Sequence, residues 1–97
     1  MTDYQKSICY QIAENYGEQH QMLKAVEEMA ELTQAILKRM SGEWSIRPYA
    51  EELADVSIMI EQLIYLNDQK HGTINIEHYV QEKLERQINR MESDNDV

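Results

Sequence analysis

Apolar side chains recur every three or four residues over most of the chain, which is the spacing of one face of an α-helix. The first such stretch covers residues 3 to 16 and is followed by Gly17. The second covers residues 18 to 40 and is followed by Ser41 and Gly42. Glycine is common directly after a helix because it adopts left-handed backbone conformations without strain. The pattern therefore predicts two helices in close succession.

A third helix is predicted over residues 48 to 69, and apolar residues occupy nearly all of its sides. Pro48 would open it, since proline suits the first turn of a helix. A helix that is apolar all round is buried, so we expect it to contact its own bundle on one side and another subunit on the other. Asn75 is a suitable N-cap for a fourth helix that ends near Met91.

These four helices predict a single all-α domain, a four-helix bundle over residues 1 to 91. An acidic, flexible tail is expected over residues 92 to 97, which carry hardly any apolar content. A chain of 97 residues builds only a thin core. Such chains often gain stability by association, so we expect a homodimer or homotetramer that assembles through helix three.

Charge and composition narrow the possible partners. The net charge of −9 disfavours binding to the phosphates of a nucleic acid polymer or to an anionic membrane surface. No apolar run reaches the roughly 18 residues typical of a membrane span. Cys9 is the single cysteine, so no disulfide forms within the chain, and its apolar surroundings indicate a buried thiol. We expect a soluble cytoplasmic protein.

Two pairs of acids interrupt the helical pattern. Glu28 and Glu31 lie three residues apart on helix two, and Glu52 and Asp55 do so on helix three. Residues with this spacing lie on one face of a helix. Glu31 lies on a polar arc and Glu28 at the edge of the apolar arc. The first pair is therefore equally compatible with an ordinary solvated surface.

The second pair includes a carboxylate that lies on an apolar face of its helix. Glu52 shares its face with Val56 and Met59, and no Lys or Arg lies within one turn of it on the same helix. A carboxylate among apolar side chains needs a partner, a proton or a metal ion. Hard divalent cations prefer oxygen ligands. If helices two and three pack side by side, the four acids predict a site for Mg²⁺, with Mn²⁺ as a substitute.

The acidic motifs, in this order, resemble those of a known family. The run Glu27-Glu28-x-x-Glu31 is followed some twenty residues later by Glu52-x-x-Asp55, and the basic segment Lys83-Leu84-Glu85-Arg86 follows. This arrangement resembles the all-α nucleoside triphosphate pyrophosphohydrolases of the MazG-like superfamily, over roughly residues 15 to 90. The resemblance implies an oligomeric four-helix fold. It also implies Mg²⁺-dependent cleavage of a nucleoside triphosphate between the α and β phosphates, which yields a monophosphate and pyrophosphate.

The resemblance also implies roles for individual residues. Metal ligands would be Glu28, Glu31, Glu52 and Asp55. Glu27 would be a candidate to orient or deprotonate the attacking water, and Lys83 would steady the phosphates. Further substrate contacts would come from Gln21 and Lys24, together with His20, near the base, and from Arg86 and Gln87 beside Lys83. The family often has Asn or Arg where this chain has Gln87, which is a departure from its pattern.

Other interpretations remain open at this stage. The Lys83 stem also fits a side chain that runs along the bundle with its amine in water, and Trp44 fits either a base-stacking or a packing role. A non-catalytic helical interaction protein of the same fold is the alternative function. A di-iron carboxylate bundle is a further possibility, but such sites use Glu-x-x-His on two helices, and that sequence does not occur in the chain.

Overall fold

The structure is a computed structural model that describes residues 1 to 95. Over that range it contains four helices and no strand: α1 (Asp3–Tyr16), α2 (Glu18–Ser41), α3 (Ile46–His71) and α4 (Ile76–Asn95). The predicted all-α class and the number of helices are confirmed. Within the same range, no helix combines the length and the apolar character needed to span a membrane.

The helix ends follow from local sequence. Gly17 has a φ of +86° and separates α1 from α2, and its N–H donates to the carbonyl of Ala13. Asn75 caps α4, because its Oδ1 accepts a hydrogen bond from the His78 N–H at 3.1 Å. Helix α3 begins two residues earlier than predicted. Pro48 is therefore its third residue, which is tolerated because the first N–H groups of a helix have no partner within the helix.

The boundary predicted for the C-terminal tail differs from the structure. Helix α4 continues to Asn95, so residues 92 to 95 of the expected tail are helical. No Pro or Gly follows Met91 to stop the helix. Residues 96 and 97 lie outside the described part of the chain.

Helix α3 is central, as predicted, because it packs against both α1 and α2. The buried apolar residues of α1 and α2 are all small, namely Cys9, Ala13 and Ala25, and small side chains let helix backbones approach closely. The buried apolar core consists of Cys9, Ala13, Ala25, Met59 and Leu66. Burial raises the pKa of the Cys9 thiol, as expected for a packed rather than a reactive cysteine.

Two tyrosine–glutamate pairs hold α1 along α3. Tyr10 donates to Glu61 at 2.7 Å and Tyr65 donates to Glu14 at 2.9 Å. The two tyrosine rings stack with their centroids 4.2 Å apart. The hydrogen bond to Glu61 raises the pKa of Tyr10 to about 12. These reciprocal contacts set the register of the two helices.

A buried amide pair joins α2 to α3. The Gln21 amide donates to Gln62 Oε1 at 2.7 Å, and the two residues are 3% and 1% exposed. His20 Nδ1 lies 2.7 Å from Gln21 Oε1 and extends the network towards the surface. A paired buried amide is tolerated, whereas an unpaired one is destabilising.

Replacement of Gln62 by leucine should therefore destabilise the fold. The Gln21 amide would lose its buried partner, which costs about 1–3 kcal/mol. Thermal unfolding followed by circular dichroism should show a lower midpoint, by about 4–8 °C for each kcal/mol in a domain of this size. A second replacement, Gln21→Leu, should restore part of the loss. If Gln62→Leu is as stable as the wild type, the amide pair contributes little.

Helix α4 stands apart from the other three. None of its residues is buried, and none of its Cα atoms lies within 8 Å of a Cα atom on α1, α2 or α3. The radius of gyration is 16.7 Å, compared with about 13 Å for a compact domain of about 100 residues. The predicted four-helix bundle is thus not closed within one chain, because three helices pack together and the fourth projects from them.

Candidate metal centre

The packing of α2 against α3 brings three of the predicted ligands together. Carboxylate oxygens of Glu28, Glu31 and Glu52 all lie within 4.8 Å of one another. Glu28 is 7% exposed, Glu52 is half-buried, and Glu31 is exposed. The group therefore extends from the helix interface to solvent, which leaves one side of the site accessible.

Asp55, the fourth predicted ligand, lies beside Glu28 but outside this three-acid group. Burial, followed by the negative charge of Glu28, raises the pKa of Asp55. The charges of Glu28 and then Glu52 raise the pKa of Glu31. In both cases, nearby negative charge makes the ionised form less favourable. A proton or a cation would relieve this repulsion.

Lys24 compensates only one oxygen of the site. Its Nζ lies 3.1 Å from Glu28 Oε1 and 3.8 Å from Glu27 Oε2. The hydrogen bond to Glu28 is the main reason that the pKa of Lys24 is raised. Within the described chain, the second oxygen of Glu28 and one oxygen of Glu52 are buried without a hydrogen-bond donor. Glu31 and Asp55 are close to Glu28, but ionised carboxylates have no hydrogen to donate.

The donor set fits a hard divalent cation. Two residues of the three-acid group each carry a buried oxygen without a partner, and such oxygens are rare and costly in folded proteins. The three grouped ligands are all carboxylates, with no His or Cys among them. Oxygen-only sites suit Mg²⁺ or Mn²⁺ better than Zn²⁺, which is usually held by nitrogen or sulfur. The residues present therefore fit the predicted ion.

One cavity of about 630 Å³ opens directly beside Glu31 and Glu52. Trp44 and Tyr49 form part of its wall, with their rings edge to face at 5.9 Å. The Arg39 guanidinium lies 3.7 Å from the centroid of the Trp44 ring without lining the cavity itself. Trp44 is thus both packed and exposed to the cavity, so its two predicted roles are compatible.

A second cavity, of about 570 Å³, lies where α1 and α2 meet α3. It contains the residues predicted to lie near a base, His20, Gln21 and Lys24. The Gln21 amide is already bonded to Gln62, and the Lys24 amine to Glu28. The stacked rings of Tyr16 and His20, 4.6 Å apart, are the aromatic part of this wall. The three residues thus line one cavity, but the Gln21 amide already forms a hydrogen bond with Gln62 inside the fold.

The remaining predicted residues divide into Glu27, which approaches the Lys24 amine that also contacts Glu28, and three residues of α4, which do not reach the carboxylates of the same chain. Glu27 has a 67% exposed side chain and lies outside the three-acid group. Lys83, Arg86 and Gln87 are exposed on α4, which packs against none of the other helices. The helical pattern of α4 carries no information about which surface its apolar arc faces.

Sequence reasoning missed the part played by Gln62 and Arg39. Gln62 lies three residues after Met59 and four before Leu66, so it is a polar side chain inside an apolar arc. This is the same signal that singled out Glu52. Arg39 carries no such signal, because its contact with Trp44 depends on the path of the loop between α2 and α3.

Comparison of the chain with known protein families, with curated proteins and with solved structures finds no match. A proposal for the function of the chain therefore rests on its own residues and on the spacing of its acidic pairs.

Proposed function

We propose that the chain is a Mg²⁺-dependent pyrophosphohydrolase that cleaves a nucleoside triphosphate between the α and β phosphates. The observation that carries this proposal is the convergence of Glu28, Glu31 and Glu52 with two buried oxygens that have no donor. The resemblance of the two acidic motifs to the MazG-like superfamily supports the choice of reaction. An open carboxylate group beside cavities of ligand size is also what such a substrate requires.

In this proposal Glu28, Glu31 and Glu52 hold the ion, and Asp55 lies next to Glu28. Bound Mg²⁺ would neutralise phosphate oxygens and lower the pKa of a coordinated water. As the oxygen of the attacking water bonds to phosphorus and the anhydride bond between the α and β phosphates breaks, a carboxylate of the chain would take the proton of that water. Glu27 is largely exposed beside Lys24, so Asp55 is the better placed acceptor of that proton.

Cations of the same chain border the site on both sides. Lys24 contacts Glu28 and lines the cavity towards α1, whereas Lys38 lines the cavity that contains Trp44. Both positive charges would attract a polyphosphate towards the acids, although the Lys24 amine is already paired with Glu28. Phosphate binding by Lys83, Arg86 and Gln87 would require a second copy of the chain, because α4 does not reach the site of its own chain.

The direct test is incubation of the purified protein with a panel of ribo- and deoxyribonucleoside triphosphates and Mg²⁺. We expect equal amounts of pyrophosphate and nucleoside monophosphate, and no product in the presence of EDTA. Trp44 is the single tryptophan and lines the cavity beside Glu31 and Glu52. Its fluorescence should therefore report binding of a non-hydrolysable nucleotide with Mg²⁺, independently of turnover.

Three outcomes separate the possibilities. Release of orthophosphate instead of pyrophosphate would contradict the proposed bond cleavage. Binding of Mg²⁺ without hydrolysis of any nucleotide in the panel would favour the non-catalytic interaction protein. No binding of Mg²⁺ or Mn²⁺ at all would contradict the metal site itself.

A further inference from the structure

Two cavities border the candidate metal centre, one on each side of it along α2 and α3. The larger cavity, of about 630 Å³, is lined by Glu31 and Glu52 themselves. The smaller cavity, of about 570 Å³, is lined by Lys24 and Glu27, and the Lys24 amine lies 3.1 Å from Glu28 Oε1. Both volumes lie within the range of small-molecule sites. The carboxylates therefore lie between two spaces that are each large enough for part of one ligand.

The two cavities follow one another on the same face of α2. The α2 residues that line the smaller cavity run from His20 to Glu27, and those that line the larger one run from Glu31 to Lys38. At 3.6 residues per turn the two sets point in almost the same average direction, and their middles lie about 17 Å apart along the helix axis. A single extended ligand that lies along α2 would thus enter both cavities and pass the carboxylates between them.

Each cavity contains an aromatic surface on which a planar ring can stack. Trp44 and Tyr49 line the larger cavity, and the Arg39 guanidinium holds the indole from outside, 3.7 Å from the ring centroid. Tyr16 and His20 line the smaller cavity, with their rings stacked 4.6 Å apart. Any nucleobase can stack on such side chains, because every base has a π-face. The two cavities thus offer two places for a base.

Each cavity also has a lysine between its aromatic surface and the acids. Lys38 lines the larger cavity and Lys24 the smaller one. An amine of this kind attracts phosphate oxygens, and a divalent ion at the carboxylates would neutralise the phosphates in the middle. The order along the surface is therefore aromatic group, amine, carboxylates, amine and aromatic group. A nucleoside triphosphate has one base and would leave one aromatic surface unused.

Building on the proposed function, we propose that the preferred substrate is a dinucleoside polyphosphate, with one base in each cavity and the phosphate chain across the carboxylates. The bond that is cleaved stays the same. Water oxygen bonds to an α phosphorus, the bond from that phosphorus to the oxygen that bridges it to the β phosphorus breaks, and the bridging oxygen leaves with the rest of the ligand. A carboxylate of the chain takes the proton that the water loses. Diadenosine tetraphosphate would thus give AMP and ATP.

The first test compares diadenosine tetraphosphate with adenosine tetraphosphate, which has the same number of phosphates but one base. In the presence of Mg²⁺, the initial rate of AMP formation should give a kcat/KM at least about tenfold higher for the dinucleotide, which is the value of one base–aromatic stack. Equal values for the two compounds would mean that the second base is not bound, and would overturn the inference.

Variants of the two aromatic surfaces show whether both cavities are used. Trp44→Leu and Tyr16→Leu should each lower kcat/KM for the dinucleotide about tenfold. At most one of them should do so for adenosine tetraphosphate, because a single base occupies one cavity at a time. Trp44→Phe keeps a planar ring and should retain most of the activity. Tyr4→Leu is the control, since Tyr4 lies on α1, is 74% exposed and lines neither cavity.

A binding measurement separates this inference from the proposed function. A methylene-bridged, non-hydrolysable analogue of diadenosine tetraphosphate should change the fluorescence of Trp44, and Tyr16→Leu should raise its dissociation constant about tenfold although Trp44 is intact. Hydrolysis of nucleoside triphosphates without this effect and without a preference for the dinucleotide would overturn the inference and leave the proposed function standing. Binding of the analogue with this effect, but no hydrolysis of any nucleotide, would support the two-base ligand and overturn the proposed function.

Discussion

Replacement of Glu52 by glutamine should lower Mg²⁺-dependent pyrophosphate release at least about 100-fold and leave the helical fold in place. Glutamine has nearly the same volume, but it is neutral, and its amide NH2 group cannot bind a cation. Loss of about 3 kcal/mol of metal-dependent stabilisation of the transition state corresponds to a rate loss of about this size. The measurement is the initial rate of pyrophosphate release as a function of Mg²⁺ concentration, with circular dichroism as the check on folding.

The adjacent residue provides the matched control. Glu51 has a 60% exposed side chain and pairs with Arg47 at 2.8 Å, outside the three-acid group. Glu51→Gln removes the same charge from the same turn of α3 and should retain close to the wild-type rate. Equal losses in both variants would indicate a general effect of charge. Full activity in Glu52→Gln would mean that the three-acid group is not the catalytic site.

Glu52 could be predicted as a site residue because the sequence of its own helix shows that it is a carboxylate among apolar side chains. A carboxylate within an apolar arc and without a basic neighbour needs a partner from elsewhere, and the structure places Glu52 beside the acids of α2, where one of its oxygens still has no donor. Burial of Glu28 was not predictable in the same way. It depends on the angle at which α3 covers α2, and Lys24 on the same helix already pairs with one of its oxygens.

The position of α4 shows where helical periodicity stops being informative. Periodicity identified an amphipathic fourth helix and its cap at Asn75, and both are present. The surface that the apolar arc faces is decided by a few hydrogen bonds in the preceding turn, among them the contact of Asp68 with the Ile74 N–H. An acid at position 68 has no distinctive spacing, so the projection of α4 and the exposure of Lys83 could be known only from the structure.

Replacement of Glu28 by glutamine should raise the unfolding midpoint in EDTA and remove most of the stabilisation that Mg²⁺ provides. The charge of Glu28 is among the largest influences that raise the pKa values of Glu31 and Asp55, so its removal relieves both. The new amide also places a donor among carboxylates that lack one. The gain should be about 1 kcal/mol, the worth of a typical hydrogen bond, or about 4–8 °C.

Mg²⁺ should reverse the order of the two proteins. At a concentration 100 times the dissociation constant, an ion that binds only the folded state adds about 2.7 kcal/mol to the stability of the wild type. The variant lacks a central ligand and should gain far less, so it should be the more stable protein without Mg²⁺ and the less stable one with it. Differential scanning fluorimetry at increasing Mg²⁺ concentrations would show this crossing of the two curves.

The neighbouring Glu27→Gln variant separates metal binding from the ion pair with Lys24. Glu27 also approaches Lys24, at 3.8 Å, but it is exposed and lies outside the three-acid group, so its replacement should change neither the midpoint in EDTA nor the response to Mg²⁺. A lower midpoint for Glu28→Gln in EDTA, with the wild-type response to Mg²⁺ retained, would mean that Glu28 serves mainly as the partner of Lys24. If Glu28 served only as the partner of Lys24, its replacement would not change how the stability of the protein responds to a divalent ion. A crossing of the two curves therefore requires Glu28 to be a ligand.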